Sequence, residues 1–64
     1  MDGTVKWFND DKVWGFIVAE GVEYFVHYGE IQMEGRRTLV EGAAVRFEPA
    51  MCPKGPRALR VFRL

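Results

Sequence analysis

Two short segments in the first half of the chain alternate ring-bearing side chains with apolar or small ones. The first segment carries Trp14 and Phe16, and the second carries Phe25 and His27, each pair two residues apart. Because successive side chains of a β-strand point to opposite faces, a period of two predicts strands rather than helices. The two segments are therefore predicted to be neighbouring strands whose rings share one face.

The residues between the rings point the other way. Ile17 and Val26 are predicted to close a core, and Gly15 between two rings suits a close-packed interior position. A folded domain does not normally leave a large ring-bearing patch exposed unless the patch has a ligand. Every nucleobase has a π-face that stacks on an aromatic side chain. The pattern therefore favours base stacking over ordinary core packing for these rings.

Length and cysteine content limit the class of domain. With 64 residues, the chain is predicted to form one domain, 1–64, with a small core. Cys52 is the only cysteine, which excludes an internal disulfide, and we interpret it as an incidental free thiol in a reducing compartment. No signal segment opens the chain, and no apolar run approaches the roughly 18 residues of a membrane span. We expect a cytoplasmic protein with no membrane partner.

Charge is balanced overall but unevenly distributed. Nine basic and nine acidic residues give a formal net charge of zero, which excludes a binder that depends mainly on counterion release. The C-terminal end is nevertheless basic and carries no acidic residue from position 54 onward; its charges are Lys54, Arg57, Arg60 and Arg63. Such a run is either a solvated strand face or a local set of phosphate contacts, and the sequence leaves both open.

Turn-forming residues divide the chain into five candidate strands. These are Thr4 to Phe8, Trp14 to Glu20, Val22 to His27, Ala44 to Met51 and Arg57 to Phe62. The stretch from Gly29 to Val40 lacks alternation and is predicted to be a long connection with one helical turn. Short antiparallel strands with one long connection predict an all-β, OB-type barrel, whose closure removes exposed edges. An SH3-like barrel fits the same strand count and stays an alternative.

Longer motifs resemble the bacterial cold-shock proteins, the cold-shock-domain branch of the OB-fold. Residues 3–9 read Gly-Thr-Val-Lys-Trp-Phe-Asn and are similar to the opening G-x-V-K-W-F-N of that family. Residues 12–17 resemble its first RNA-binding motif, K-G-F-G-F-I, and residues 25–27 resemble the F-V-H of its second. The register continues to Gly55-Pro56, so the resemblance covers essentially the whole chain.

The resemblance implies a five-stranded antiparallel barrel that binds single-stranded RNA and DNA, prefers pyrimidine-rich strands and serves as an RNA chaperone. From the residues themselves we expect no enzymatic activity and no cofactor, because no nucleophile with a base, no suitable carboxylate pair and no phosphate-binding glycine loop can be assembled. The implied nucleic-acid-binding residues are Lys6, Trp7, Phe8, Lys12, Trp14, Phe16, Phe25, His27, Tyr28 and Lys54, to which we add the neighbouring cation Arg57. A role in the stress response or in transcription regulation would use the same binding site.

Four positions depart from the family pattern. Val13 replaces a glycine, and because a β-branched residue disfavours positive φ, we expect a turn of different shape there. Trp14 replaces a phenylalanine and enlarges the stacking surface. Arg36 stands where many members have a ring, and its guanidinium stays a candidate contact to a base or a phosphate. Tyr24 should face inward, and its hydroxyl needs a partner, so we place it at the rim.

Several alternatives remain open from the residues alone. Adjacent residues of a strand face opposite ways, so either Trp7 or Phe8 packs inward, and the pattern does not say which. His27 has no second ligand at metal spacing, and we expect no metal site. The alternative function is a protein-interaction module in which the same ring patch docks a partner or a second copy of the chain, and the apolar Phe62 and Leu64 support it. We expect a monomer, with a weak or strand-swapped dimer as the alternative.

Overall fold

Five strands and one short 3-10 turn make up the regular structure of residues 1–33 and 38–64, the part that the computed structural model describes. The strands are β1 Asp2–Asn9, β2 Trp14–Ala19, β3 Val22–His27, β4 Ala44–Cys52 and β5 Gly55–Arg63, and the 3-10 turn is Tyr28–Glu30. All five predicted strands are present; β3 has its predicted bounds, and the ends of the others differ by one or two residues. The predicted contact Arg36 lies outside the described residues.

The strands close into a barrel in the order β1-β2-β3-β5-β4, with β4 returning to β1. Each described ladder is antiparallel except the one between β3 and β5, which is parallel at Phe25 and Arg57. A closed ring with an odd number of strands cannot alternate direction throughout, so one neighbouring pair must be parallel. The prediction of an antiparallel barrel is therefore correct for every ladder but this one.

Inward-facing aliphatic side chains fill the barrel. Ile17, Val26, Val45 and Val61 are each 0% exposed, as the alternation predicts for the first two. Full burial of one such side chain contributes about 1.5 to 3 kcal/mol, so this small set carries much of the stability. Tyr24 is also buried, and its ring packs against Phe47 at a centroid distance of 5.0 Å.

Gly15 is buried at a close approach of β1 and β2. A Cβ atom at this position would lie 2.2 Å from the carbonyl oxygen of Trp7 and 2.7 Å from the Cα of Phe8. Both neighbours are backbone atoms, which a side-chain rotation cannot move away. The prediction of a close-packed interior position is confirmed.

A β-bulge in β1 settles which of Trp7 and Phe8 faces outward. Val5 lies opposite the buried Ile17, but the register then shifts, so that Trp7 lies opposite Phe16 and Phe8 opposite Gly15. A bulge places two residues of one strand against one residue of its partner, and the following side chains change face. Trp7 consequently joins the outer face, whereas Phe8 packs against the core.

The turn between β1 and β2 contains Val13 with a φ of 58°. Val13 thus adopts a positive φ that a β-branched residue disfavours, and the conformation costs about 1 to 3 kcal/mol. Hydrogen bonds hold the turn: Val13 N donates to Asn9 O at 2.7 Å, and the Asn9 side chain accepts from two further backbone amides, those of Asp11 and Lys12. Tyr28 N donates to Val13 O at 3.0 Å, which ties the turn to the end of β3.

Candidate nucleic-acid interface

Four rings contact one another on the outer face of β1, β2 and β3, and we call them the aromatic platform: Trp7, Trp14, Phe16 and Phe25. Trp7 lies 4.9 Å from Trp14 and 5.4 Å from Phe16 between ring centroids, both in edge-to-face geometry. Trp14 and Phe25 are nearly parallel, with an interplanar angle of 28° and a centroid distance of 5.7 Å. All four rings are half-buried, so each supports its neighbours and keeps some surface open.

Strand register explains why these rings meet. Phe16 lies opposite Phe25 across β2 and β3, and Trp7 lies opposite Phe16 across β1 and β2. Opposed side chains in an antiparallel pair stand close enough for aromatic rings to touch. The shared face predicted from the period of two is therefore present, and the bulge adds Trp7 to it.

His27 and Tyr28 extend the ring surface past the end of β3. His27 lies opposite Trp14 in register, and its ring centroid is 4.9 Å from that of Tyr28. The Nδ1 atom of His27 accepts a hydrogen bond from Gly29 N at 3.2 Å and so caps the 3-10 turn. The Tyr28 side chain stays exposed. Both predicted residues thus lie beside the platform, and His27 also stabilises the 3-10 turn through its hydrogen bond to Gly29.

The predicted cations near β1 have different surroundings. The Nζ atom of Lys6 lies 2.9 Å from Glu23 Oε2 in a solvent-exposed ion pair. Such a pair is worth about 0 to 1 kcal/mol, so a phosphate can replace the carboxylate at little cost. Lys12 is exposed in the turn before β2. Phe8 stands apart from the platform because its ring packs on the core.

A groove of about 780 Å³ runs between the platform and the turn that joins β4 to β5. Its walls include Phe16, Glu23, Phe25, Lys54, Pro56 and Arg57. The fold thus brings Lys54 and Arg57, from the basic end of the sequence, to the rings of β2 and β3. Arg60 does not line this groove, and its Nε lies 3.8 Å from a carboxylate oxygen of Glu48. The C-terminal basic run is therefore divided between two surfaces.

Arg57 contacts the platform directly. Its guanidinium carbon lies 5.5 Å from the centroid of the Phe25 ring, within the range of a cation–π interaction. Its Nε atom is buried and has no hydrogen-bond partner. A buried donor without a partner is costly, which makes this atom a feature to be explained.

Glu23 is a site residue that the sequence reasoning missed. It lines the groove and precedes Phe25 by two positions on the same strand. The period of two that identified the rings would have placed it on the same face.

In the described part of the chain, no group of three or more His, Cys, Asp or Glu residues could hold a metal ion. Within residues 1–33 and 38–64, no helix is long and apolar enough to cross a membrane.

The side of the barrel formed by β1 and β4 has a different electrostatic character. Arg46 Nε donates to Asp2 Oδ1 at 2.8 Å on the solvent-exposed surface. This hydrogen bond lowers the pKa of the Asp2 carboxyl and raises the pKa of the Arg46 guanidinium, with the charge–charge attraction acting in the same direction. On this side of the barrel, the Arg46 guanidinium is therefore already paired with the Asp2 carboxylate.

Comparison with known proteins gives concordant results. The family model described as "'Cold-shock' DNA-binding domain" matches residues 1–64. The chain is 54% identical over 61 residues to "Probable cold shock protein A" of Mycolicibacterium smegmatis, which covers 92% of this chain and 91% of the relative. It is 49% identical over 61 residues to "Cold shock protein 1" of Lactiplantibacillus plantarum, covering 94% and 92% of the two chains.

A solved structure shares the fold at low sequence identity. The structure titled "drosophila Unr CSD456" superposes with a TM-score of 0.78 and 20% identity, over 98% of this chain. The match spans 26% of that longer chain. This likeness supports the OB-type barrel over the SH3-like alternative.

Proposed function

This chain belongs to the cold-shock domain family, a nucleic-acid-binding and non-enzymatic family, and we propose that it binds single-stranded RNA and DNA on the aromatic platform. The observation that carries the proposal is the contact of four half-exposed rings on one face of the barrel. Their exposed surface is matched by the flat faces of unpaired bases, which are inaccessible inside a duplex.

Stacking supplies most of the affinity in this proposal. Each base stacked on an aromatic side chain is worth about 1 to 3 kcal/mol and needs no particular sequence. Lys54 lies along the groove beside the rings and guides the phosphate backbone. Preference for pyrimidine-rich strands follows from backbone flexibility and weak competing base–base stacking rather than from hydrogen-bond readout.

The biological activity that we propose is RNA chaperoning without ATP in the cytoplasm. A protein that binds the unpaired strand but not the duplex shifts base-pairing equilibria toward the open form by mass action. Weak RNA hairpins would then open in proportion to protein concentration. Control of transcription through melting of a nascent hairpin would use the same equilibrium.

Oligonucleotide titration with matched phenylalanine variants tests the binding site. We expect oligo-dT and oligo-U to change the fluorescence of Trp7 and Trp14 at micromolar protein, because both indoles belong to the platform. Phe16→Ala and Phe25→Ala should each weaken binding about 5- to 150-fold, the equivalent of about 1 to 3 kcal/mol. The control Phe62→Ala removes a ring of the same size, 50% exposed on β5, and should leave the affinity unchanged.

Two results would contradict the binding proposal. Fluorescence that does not change on titration would exclude stacking on the platform. Equal affinity in the parent, Phe16→Ala and Phe25→Ala, with circular dichroism showing an unchanged fold, would place the site elsewhere.

Opening of a dye-labelled RNA hairpin by the parent, and not by Phe25→Ala, would test the chaperone activity itself.

A second candidate function is self-association through the chain end. Phe62 and Leu64 are 50% and 63% exposed, which leaves two large apolar side chains open to a partner. One edge of this segment is already occupied, because Arg63 pairs with Val45 and Leu64 N donates to Ala44 O at 3.0 Å. Sedimentation velocity distinguishes the functions: a tight dimer that loses oligonucleotide binding, and that Phe62→Ala dissociates, would favour self-association.

A further inference from the structure

Arg57 differs from Arg46 and Arg60 of β4 and β5 in having no polar partner among the described residues. Arg46 is bonded to Asp2, and Arg60 lies against Glu48. A guanidinium carries five N–H donors. Those of Arg57 form no hydrogen bond or ion pair within residues 1–33 and 38–64, and its Nε is in addition buried. These donors are left for a ligand.

The position of Arg57 is set by its contacts rather than left to solvent. Its backbone pairs with that of Phe25 in the parallel ladder, and its guanidinium lies 5.5 Å from the Phe25 ring centroid. The planar fork of an arginine is suited to two acceptors side by side. A base that packs against Phe25 therefore brings one edge within reach of these donors.

Glu23 provides acceptors in the same groove. It lines the groove together with Arg57, yet the two do not form an ion pair. Its Oε2 accepts a hydrogen bond from Lys6 Nζ at 2.9 Å. Because a carboxylate has about four lone-pair sites, Glu23 can still accept further hydrogen bonds. The groove thus holds a set of donors and a separate set of acceptors between aromatic walls.

We propose that this groove selects guanine from a bound single strand. Guanine presents two adjacent acceptors, O6 and N7, which suit the fork of Arg57. Its neighbouring edge presents two donors, N1–H and the 2-amino group, which suit the carboxylate of Glu23. The inference rests on the proposed single-strand binding and adds base selection to one position of it.

The other bases match this pair of residues less well. Adenine places an amino donor beside N7, so it would turn a donor toward the donors of Arg57. Uracil and thymine carry a single N–H between two carbonyl oxygens, and those oxygens would face the carboxylate of Glu23. Cytosine has one amino donor and no second donor beside it. Guanine is the base with paired acceptors and paired donors, so a pyrimidine-rich strand with one guanine is the expected preferred ligand.

Base substitution within a short strand tests the inference. Heptamers of dT are compared with heptamers carrying one dG at each position in turn, by fluorescence titration. We expect one position at which dG strengthens binding at least about fivefold. At that position, 7-deazaguanine, which lacks the N7 acceptor, and hypoxanthine, which lacks the 2-amino donor, should each lose part of the gain.

Matched variants connect the preference to the two residues. Arg57→Gln and Glu23→Gln should each reduce the ratio of dG-strand to dT-strand affinity toward one. Arg63→Gln changes an exposed arginine of the same strand and should keep the parent ratio. The ratio is the readout because a phosphate contact by Arg57 would change both affinities equally and leave the ratio intact.

The outcomes separate this inference from the proposed function. Equal affinity for all heptamers, or a guanine preference that survives in Arg57→Gln, overturns the guanine site and leaves single-strand binding standing. A parent protein that binds none of the strands overturns the proposed function and the guanine site together. A preference that the deaza and deamino analogues reduce, and that Arg57→Gln abolishes, supports both.

Discussion

The platform side and the β1–β4–β5 side of the barrel differ in whether their arginines have carboxylate partners. On the β1–β4–β5 side, two arginines have carboxylate partners, with Asp2 bonded to Arg46 at 2.8 Å and Glu48 3.8 Å from Arg60. On the platform side, rings contact one another, and the donors of Arg57 have no partner among the described residues. A balanced overall charge therefore conceals a difference in local pairing: Arg46 and Arg60 have carboxylate partners, whereas Arg57 beside the rings has none among the described residues.

This contrast shows why net charge alone is a poor guide to function here. The formal net charge of zero argues only against a ligand held mainly by charge. What matters for a flat ligand is where rings and unpaired donors lie together, and this depends on the fold. If the two surfaces are independent, changes on one side should leave the other side unaffected.

Gly15→Ala should destabilise the platform side most. The new Cβ would lie 2.2 Å from the backbone oxygen of Trp7, so β1 and β2 must separate. We expect a loss of about 3 kcal/mol or more in the free energy of unfolding, measured by urea titration.

Gly29→Ala is the matched control for that change. Its nearest contact would be His27 Nδ1 at 3.4 Å, an ordinary van der Waals distance, and the expected change is within about 0.5 kcal/mol. Equal urea midpoints for Gly15→Ala and the parent would show that the two strands do not approach as closely as described.

Salt dependence measures how much of the binding is electrostatic. With on the order of two to four phosphate contacts, the slope of log affinity against log salt should be about −1.5 to −3. A fourfold rise in salt would then weaken oligo-dT binding about 8- to 60-fold. Lys54→Gln should make the slope shallower by about 0.7, whereas Arg46→Gln, on the paired side, should not change it. A slope steeper than about −5 would mean that charge, and not stacking, dominates.

Val13→Gly should stabilise the protein. Glycine accepts positive φ without strain, so the gain from relaxing φ 58° exceeds the entropic cost of glycine by about 1 kcal/mol. Glu20→Gly, at φ 51° in the β2–β3 turn, is the control and should gain less because glutamate is not β-branched. Thermal and urea unfolding measure both variants, and a destabilised Val13→Gly would contradict the strain argument.

Asp2→Asn should have the smallest effect. Because Arg46 lowers the pKa of the Asp2 carboxyl, the ionised pair stabilises the fold above the ordinary aspartate pKa, and this contribution disappears as pH falls through the lowered pKa. The urea midpoint should be slightly lower than that of the parent at neutral pH and equal to it in strong acid. Oligonucleotide affinity should not change, and a clear loss would show that the two sides are coupled.

Local patterns were sufficient to predict the strands and the shared ring face. Alternation placed Ile17 and Val26 inside and Phe16 and Phe25 outside, because side-chain direction along a strand depends only on the spacing of neighbours. The same reasoning required Gly15 to be interior. These predictions needed no knowledge of which strands pair.

The positions of Trp7, Val13 and Arg57 could not be obtained in this way. Trp7 faces outward because a bulge shifts the register of β1, and Val13 adopts positive φ because surrounding hydrogen bonds hold its turn. Arg57 reaches Phe25 because an odd ring of strands closes with one parallel ladder. Which side chains face in and out along a strand thus follows from the order of the residues, because it is a matter of local geometry. Which faces meet across the barrel depends on the complete fold, because closure requires contacts between residues far apart in the chain.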